Sequence, residues 1–218
     1  MKILLSWSTG KDSAWTLHVL RSQHPGAVAG LLTSINTTVS RVSMHGVPLA
    51  VLEAQAAAAG LPVRTIPLPD PCSNEDYERE LATAVNAASD DGFTHVAFGD
   101  LFLEDVRQYR EDRLRGTGLT PIFPLWGKPT DTLAREMVGA GVRAVLTCVD
   151  TQVLPREFAG RDFASALPVL PPGVDPCGER GEFHTCVTAG PIFSRALDVT
   201  PGVLVDRGRF VFCDLVGG

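Results

Sequence analysis

The chain has 218 residues, 44% of them hydrophobic and 20% charged, enough apolar material for one sizeable core and too much for a disordered chain. A formal net charge of −6 sets the mean field against a polyanion, so nucleic acid is not an expected partner. No apolar run approaches the ~18 residues of a membrane span, and the five cysteines are odd in number and scattered, which suits reduced thiols and a cytoplasmic location.

Lys2 to Trp7 reads as a buried strand whose apolar run is too short for a signal peptide. A small-residue loop leads into a helix from Ser13 to His24 with apolar positions at helical spacing. Ala27 to Leu32 is the next strand, and Thr33 to Gly46 reads as a long polar connection before an alanine-rich helix from Pro48 that stops at Gly60. A strand over Val63 to Leu68 follows, then a helix from Asn74 to Ser89 with Glu75 and Asp76 at its positive end. Strand Thr94 to Phe98, helix Leu103 to Arg115, strand Leu119 to Phe123, helix Thr130 to Ala140 and strand Ala144 to Val149 continue the alternation. That rhythm predicts an α/β fold: a doubly wound, Rossmann-like and mainly parallel sheet of five or six strands in residues 1–150. After Asp150 the chain is rich in proline and glycine and ends in a predicted β-hairpin, Val203 to Val205 and Phe210 to Phe212, making 151–218 a small β-containing subdomain. An exposed hairpin there is an expected homodimer contact.

The first strand-to-helix turn is Ser8-Thr9-Gly10-Lys11-Asp12-Ser13. Backbone amides at a helix N-terminus bind anions. Gly10 permits the tight backbone, Ser8 and Ser13 offer hydroxyls, Lys11 adds positive charge, and Asp12 is a candidate magnesium ligand. The spacing is not that of a Walker loop. Read without further context, the segment is either a nucleotide loop or an ordinary strand-to-helix cap.

Four more regions bear polar groups of interest. Thr33 stands where the second strand ends, and Gly99-Asp100 where the fourth one does. Glu104, Arg107 and Glu111 share one face of the next helix, either reaching a ligand or forming a solvated salt-bridging face. Finally Cys177-Gly178-Glu179-Arg180-Gly181-Glu182-Phe183-His184-Thr185 packs two glutamates, a histidine and a threonine into a glycine-kinked loop able to position an acid or an amine. His18, His24, His45 and His95 belong to no motif, and Cys177, Cys186 and His184 do not have zinc-site spacing.

The Ser8 to Ser13 segment resembles the S-G-G-x-D-S loop of the PP-loop ATP pyrophosphatases, with Thr9 where that family has glycine, so the match turns on the backbone at this position. Together with Gly99-Asp100, Pro124-Leu125-Trp126, Leu133 to Met137, Cys177-Gly178-Glu179, Gly181-Glu182 and Gly190-Pro191, it resembles the diphthine-ammonia ligase family over nearly the whole chain. That resemblance implies ATP and magnesium binding, adenylation of a carboxylate on a translation factor, and attack by ammonia to give an amide and AMP. It implies nucleotide contacts from Ser8 to Ser13, Thr33, Gly99 and Asp100, with Lys11, Asp12, Glu179 and Glu182 catalytic. Glu104, Arg107, Glu111, Gly178, Glu179, Gly181, Glu182, His184 and Thr185 are the expected substrate contacts. A nucleotide-binding regulatory module without turnover and a PP-loop tRNA-modifying enzyme remain the alternatives.

Overall fold

A computed structural model describes residues 1–217. The chain runs β1 (Ile3–Ser6), α1 (Lys11–Gln23), β2 (Val28–Asn36), β3 (Arg41–Val42), α2 (Leu49–Ala59), β4 (Val63–Leu68), α3 (Asn74–Asp90), β5 (His95–Ala97), α4 (Glu104–Leu114), β6 (Thr120–Ile122), α5 (Thr130–Gly139) and β7 (Arg143–Asp150). Two 3-10 turns flank the short α6 (Phe163–Ala166), and β8 (Phe183–Ala189), β9 (Val199–Arg207) and β10 (Phe210–Gly217) complete it.

Ile3, Leu4 and Leu5 of β1 are fully buried, as a strand covered by helices on both faces requires. β2 extends past Leu32 to Asn36, because Leu31 to Asn36 pair in register with Val63 to Leu68 of β4. Thr33, Ser34 and Asn36 are polar but still in the ladder, since backbone pairing fixes the strand while these residues line the cleft at the sheet edge. Ile35 and Asn36 also pair with β3, which therefore lies on the edge of β2 opposite β4 and beyond the end of β1. The parallel strands stand in the order β4-β2-β1-β5-β6, with β3 a short antiparallel addition. Chain connectivity reverses between β1 and β5, and the crevice at their carboxyl ends is where such sheets bind ligands.

At that crevice Gly99 follows β5 and presses on the first turn of α1. A Cβ there would stand 3.1 Å from the Asp12 carbonyl carbon and from Thr16 Oγ1. Helix α3 begins as its acidic first turn predicts, with Ser73 Oγ accepting from the Asp76 amide at 3.0 Å. Only Val85 and Ala88 of its 17 residues are buried.

β7 departs from the expected alternation. It pairs antiparallel with β8 and β10, so the second sheet, β8-β7-β10-β9, draws on residues before Asp150. Pro121 supplies a physical reason. Thr120 donates its amide to Thr94 O and Ile122 O accepts from the Phe98 amide, so both face β5 and Pro121 faces the outer edge, where it has no N–H to offer a further strand. The terminal hairpin is longer than expected, with Arg207 opposite Phe210 and pairing as far as Val199 and Gly217.

One face of the parallel sheet packs on α1, α2 and α5 in a core that continues into Val145, Leu146, Phe183, Cys186, Val187 and Val211 of the second sheet. The other face packs on α3 and α4 through Leu4, Val85, Val96, Phe98 and Leu114. No helix among the described residues is long and apolar enough to cross a membrane. All five cysteines are unpaired, Cys72 exposed and the other four buried.

Candidate active site

The turn after β1 has a backbone that glycine would adopt without cost. Thr9 sits at φ +70°, in the left-handed region. Its carbonyl accepts from the Val187 amide and from Gln55 Nε2, each at 3.0 Å. Gln55, wholly buried in α2, also donates to Val187 O at 2.7 Å and accepts from Trp7 Nε1 at 2.9 Å, so its carbonyl and amide are both engaged. Gly10 then opens α1 without a side-chain cap. Ser13 Oγ donates back to Gly10 O at 2.9 Å and lies 3.3 Å from Ser8 Oγ, while the Lys11 amide donates to Thr185 Oγ1 of β8 at 3.1 Å. Thr33 Oγ1 donates to Trp7 O at 2.8 Å and secures the base of the loop.

A cleft of ≈ 850 Å³ opens over this turn. Ser8, Lys11, Asp12, Ser13, Thr33, Gly99, Asp100, Gly178, Glu179, His184 and Thr185 all line it. Thr9 and Gly10 shape the loop beneath.

Lys11 is 2% exposed and turned inward. Its Nζ donates to Asp12 Oδ2 at 2.9 Å and to the Cys177 carbonyl, above the rings of Phe183 at 5.3 Å and Phe163 at 5.6 Å. Burial alone would lower its pKa, but the Asp12 carboxylate and the other acids nearby outweigh this and raise it, so Lys11 is a fixed positive charge under the loop. Burial pushes the Asp12 carboxyl upward against the pull of Lys11, and Asp12 Oδ1 is buried without a hydrogen-bond partner.

Two further acids face the same space. Burial raises Asp100, with Arg110 opposing from 3.7 Å. Burial likewise pushes Glu179 up to about 7, although its Oε1 accepts from the Leu101 amide at 2.7 Å; Asp12 and Asp100 add repulsion. Three mutually repelling carboxyl groups fit a site that receives a cation, while no three His, Cys, Asp or Glu side chains among the described residues form a ready-made metal cage.

Glu182 has a different place. It lines no part of the cleft, and its oxygens accept from the Asp175 amide at 2.9 Å and the Arg180 amide at 3.0 Å. Asp175 in turn accepts from the Cys177 amide at 2.9 Å and from Thr130 Oγ1 at 2.7 Å. These two carboxylates hold the turn that presents Glu179, with Gly178 at φ +68° where a Cβ would meet Phe183 O at 2.7 Å, and Gly181 at its outer bend.

Glu104, Arg107 and Glu111 are not brought to the cleft. Arg107 pairs with Glu111 at 2.8 Å and lies 4.8 Å over both Phe123 and Trp126. The adjacent face of α4 lines the cleft instead, through Tyr109, Arg110 and Arg113. Both faces of this helix are polar, so its periodicity does not say which one turns inward. His45, between β3 and α2, also lines the cleft and belongs to no sequence motif. Gln55 had a signal: it is the one amide in a helix otherwise made mostly of alanine and leucine.

A small-residue loop at the first crossover of a parallel β4-β2-β1-β5-β6 sheet, facing acids from the neighbouring crossover, defines an α/β protein of PP-loop type. Residues 1–121 match the family description "Diphthamide synthase N-terminal domain" and residues 129–208 match "Diphthamide synthase C-terminal domain". The chain belongs to the diphthamide synthase family. Similar curated proteins carry the name diphthine–ammonia ligase. The one from Schizosaccharomyces pombe is 29% identical over 125 residues, 55% of this chain and 21% of that protein. That from Mus musculus is 27% identical over 110 residues, 48% of this chain and 41% of the relative. The Bos taurus protein is 23% identical over 237 aligned positions, 97% of this chain and 88% of the relative. The chain thus spans about a fifth of the yeast relative and less than half of the mouse one.

The left-handed Thr9 yields a direct test. A β-branched residue there costs about 1–2 kcal/mol that glycine avoids, partly offset by the greater freedom glycine has when unfolded. Thr9→Gly is expected to raise the thermal midpoint by roughly 2–4 °C, read by calorimetry. A fall of similar size would show that the Thr9 side chain supports the loop.

Proposed function

We propose that this protein is an ATP-dependent, AMP-forming amide ligase that activates the carboxylate of diphthine and couples it to ammonia. The observation that supports this best is the junction of the two motif segments. The Lys11 amide bonds Thr185, and Glu179 faces the same cleft as Ser8, Asp12 and Ser13. A phosphate loop and a titratable carboxyl from a distant segment share one space.

In this reading the open amides at the start of α1, the Ser8 and Ser13 hydroxyls and the buried charge of Lys11 receive the phosphates of ATP, with Thr33, Gly99 and Asp100 along the sheet edge beside the nucleoside. The acceptor carboxylate attacks the α-phosphorus. The bond from that phosphorus to the bridging oxygen breaks, and pyrophosphate leaves with the electron pair. Ammonia then attacks the acyl carbon, AMP departs with the electrons of the broken C–O bond, and the nitrogen gives a proton to Glu179. A carboxyl titrating near 7 suits that task at neutral pH. His184 and Thr185 are assigned to the acceptor side, and Glu182 acts through the turn it holds. The unpartnered Asp12 Oδ1 fits a magnesium ion and would hold it, and such an ion would supply charge neutralisation on the phosphates. The five unpaired thiols favour the cytoplasm.

With ATP, magnesium, ammonium and diphthine-bearing elongation factor 2, the purified protein is expected to form AMP, pyrophosphate and the amide in equal amounts, read by nucleotide chromatography and mass spectrometry. ATP left intact under those conditions would return the protein to the class of nucleotide-binding modules without turnover.

Glu179 accepts a proton only when ionised, so turnover should rise with pH through about 7. Glu179→Gln should lower turnover roughly 100-fold, flatten that pH profile and leave ATP affinity by calorimetry unchanged. A retained pH slope in the variant would move the base elsewhere.

We also propose self-association through β9, an edge strand whose Val203, Leu204 and Val205 are 69%, 39% and 39% exposed. Light scattering is expected to give twice the chain mass for the native protein and the single-chain mass for Val203→Lys; a native monomer would dismiss the contact.

A further inference from the structure

We propose that His45 holds the ammonia nitrogen that attacks the activated acid. This deepens the amide-ligase reading and rests on it. His45 Nδ1 lies 3.1 Å from the carbonyl oxygen of Thr185. A carbonyl only accepts, so Nδ1 bears the hydrogen and Nε2 bears a lone pair. The ring packs against His184 with centroids 4.6 Å apart and planes tilted by 36°. Its Cε1 stands 3.0 Å from where a Cβ on Gly10 would be, so the imidazole flanks the start of α1 directly.

The groups facing this ring decide what it can bind. Burial, His184 and the charge of Lys11 push His45 down to about 3, with the Thr185 bond opposing; burial and Lys11 hold His184 at about 4. Both rings are neutral throughout the range in which ammonia is available as a nucleophile. A lone-pair nitrogen repels phosphate oxygens, so His45 Nε2 is unsuited to the phosphates assigned to its neighbours. It needs a donor. Ammonia has three N–H donors and one lone pair, and the lone pair must be left free to face the acyl carbon. Its holding site must therefore consist of acceptors. His45 Nε2 is one, and Glu179, whose Oε1 is taken by Leu101, has its second oxygen for another.

The step balances with these groups. The nitrogen lone pair forms the C–N bond, the C–O bond to AMP breaks with its electrons remaining on the phosphate oxygen, and one N–H proton passes to the Glu179 carboxylate. His45 holds a second N–H without taking its proton.

The test separates binding of ammonia from activation of the acid. His45→Phe keeps a ring against His184 and removes the acceptor. With diphthine-bearing elongation factor 2, its KM for ammonium is expected to rise about tenfold, the effect of one lost hydrogen bond. ATP–pyrophosphate exchange driven by the same acceptor without ammonium should remain within about twofold of the native rate. His45→Gln, which places an amide oxygen near the Nε2 position, should recover most of the ammonium KM. If His45→Phe proves unfolded by circular dichroism, His45→Asn replaces it, since it retains a donor to Thr185 but no acceptor at the Nε2 reach. An unchanged ammonium KM, or a parallel loss of exchange, overturns the assignment of His45. Absence of exchange in the native protein defeats the ligase reading, and the assignment falls with it.

Discussion

The arrangement of the active cleft depends on a set of hydrogen bonds that fasten one turn of the first sheet to one strand of the second. Gln55 bridges the carbonyls of Thr9 and Val187, the Val187 amide reaches Thr9 as well, and the Lys11 amide reaches Thr185. All are buried, where losing one partner leaves a desolvated polar group that costs about 1–3 kcal/mol. They also hold a β-branched residue in a conformation it would otherwise leave. Without β8 behind it, the turn would have neither its shape nor the amide orientation that makes a helix start receptive to anions.

The charges follow from that fastening. Once Lys11 is sealed beneath the loop it cannot swing toward a ligand, so it acts as a constant field, compensated by Asp12 and the Cys177 carbonyl. Anions above the loop meet that field together with the helix amides. Asp100 and Glu179 occupy the same space with raised affinity for protons, and the nearby imidazoles are discharged. Burial does most of this, and the Lys11 charge adds to the discharge of both imidazoles.

Much of this was legible in the sequence where the interaction is local. The residue types of the Ser8 to Ser13 turn and the Ser73 cap with the acidic start of α3 stand within a few residues of one another, and pattern reasoning finds them, although β8 completes the shape of the turn. Even the second sheet left a trace in Pro121, whose missing amide closes the edge of the first. The inward face of α4 was not legible, because Arg107 and Arg110 are chemically alike and only the tertiary fold decides which one stacks on Phe123 and which one meets the cleft. His45 was hidden for a related reason. Its meaning comes from a carbonyl 140 residues distant. Glu182 looked like a reacting group and is a brace, a distinction that rests on which amides its oxygens meet.

The continuous core shared by α1, α2 and both sheets has a consequence for how the molecule comes apart. Each sheet covers apolar surface that the other leaves open, so neither segment retains a closed interior alone. Unfolding should therefore be a single cooperative event rather than two. The chain must also be synthesised past β8 before the Ser8 to Ser13 turn acquires its final support, so every strand of the first sheet is made before that loop can take its shape.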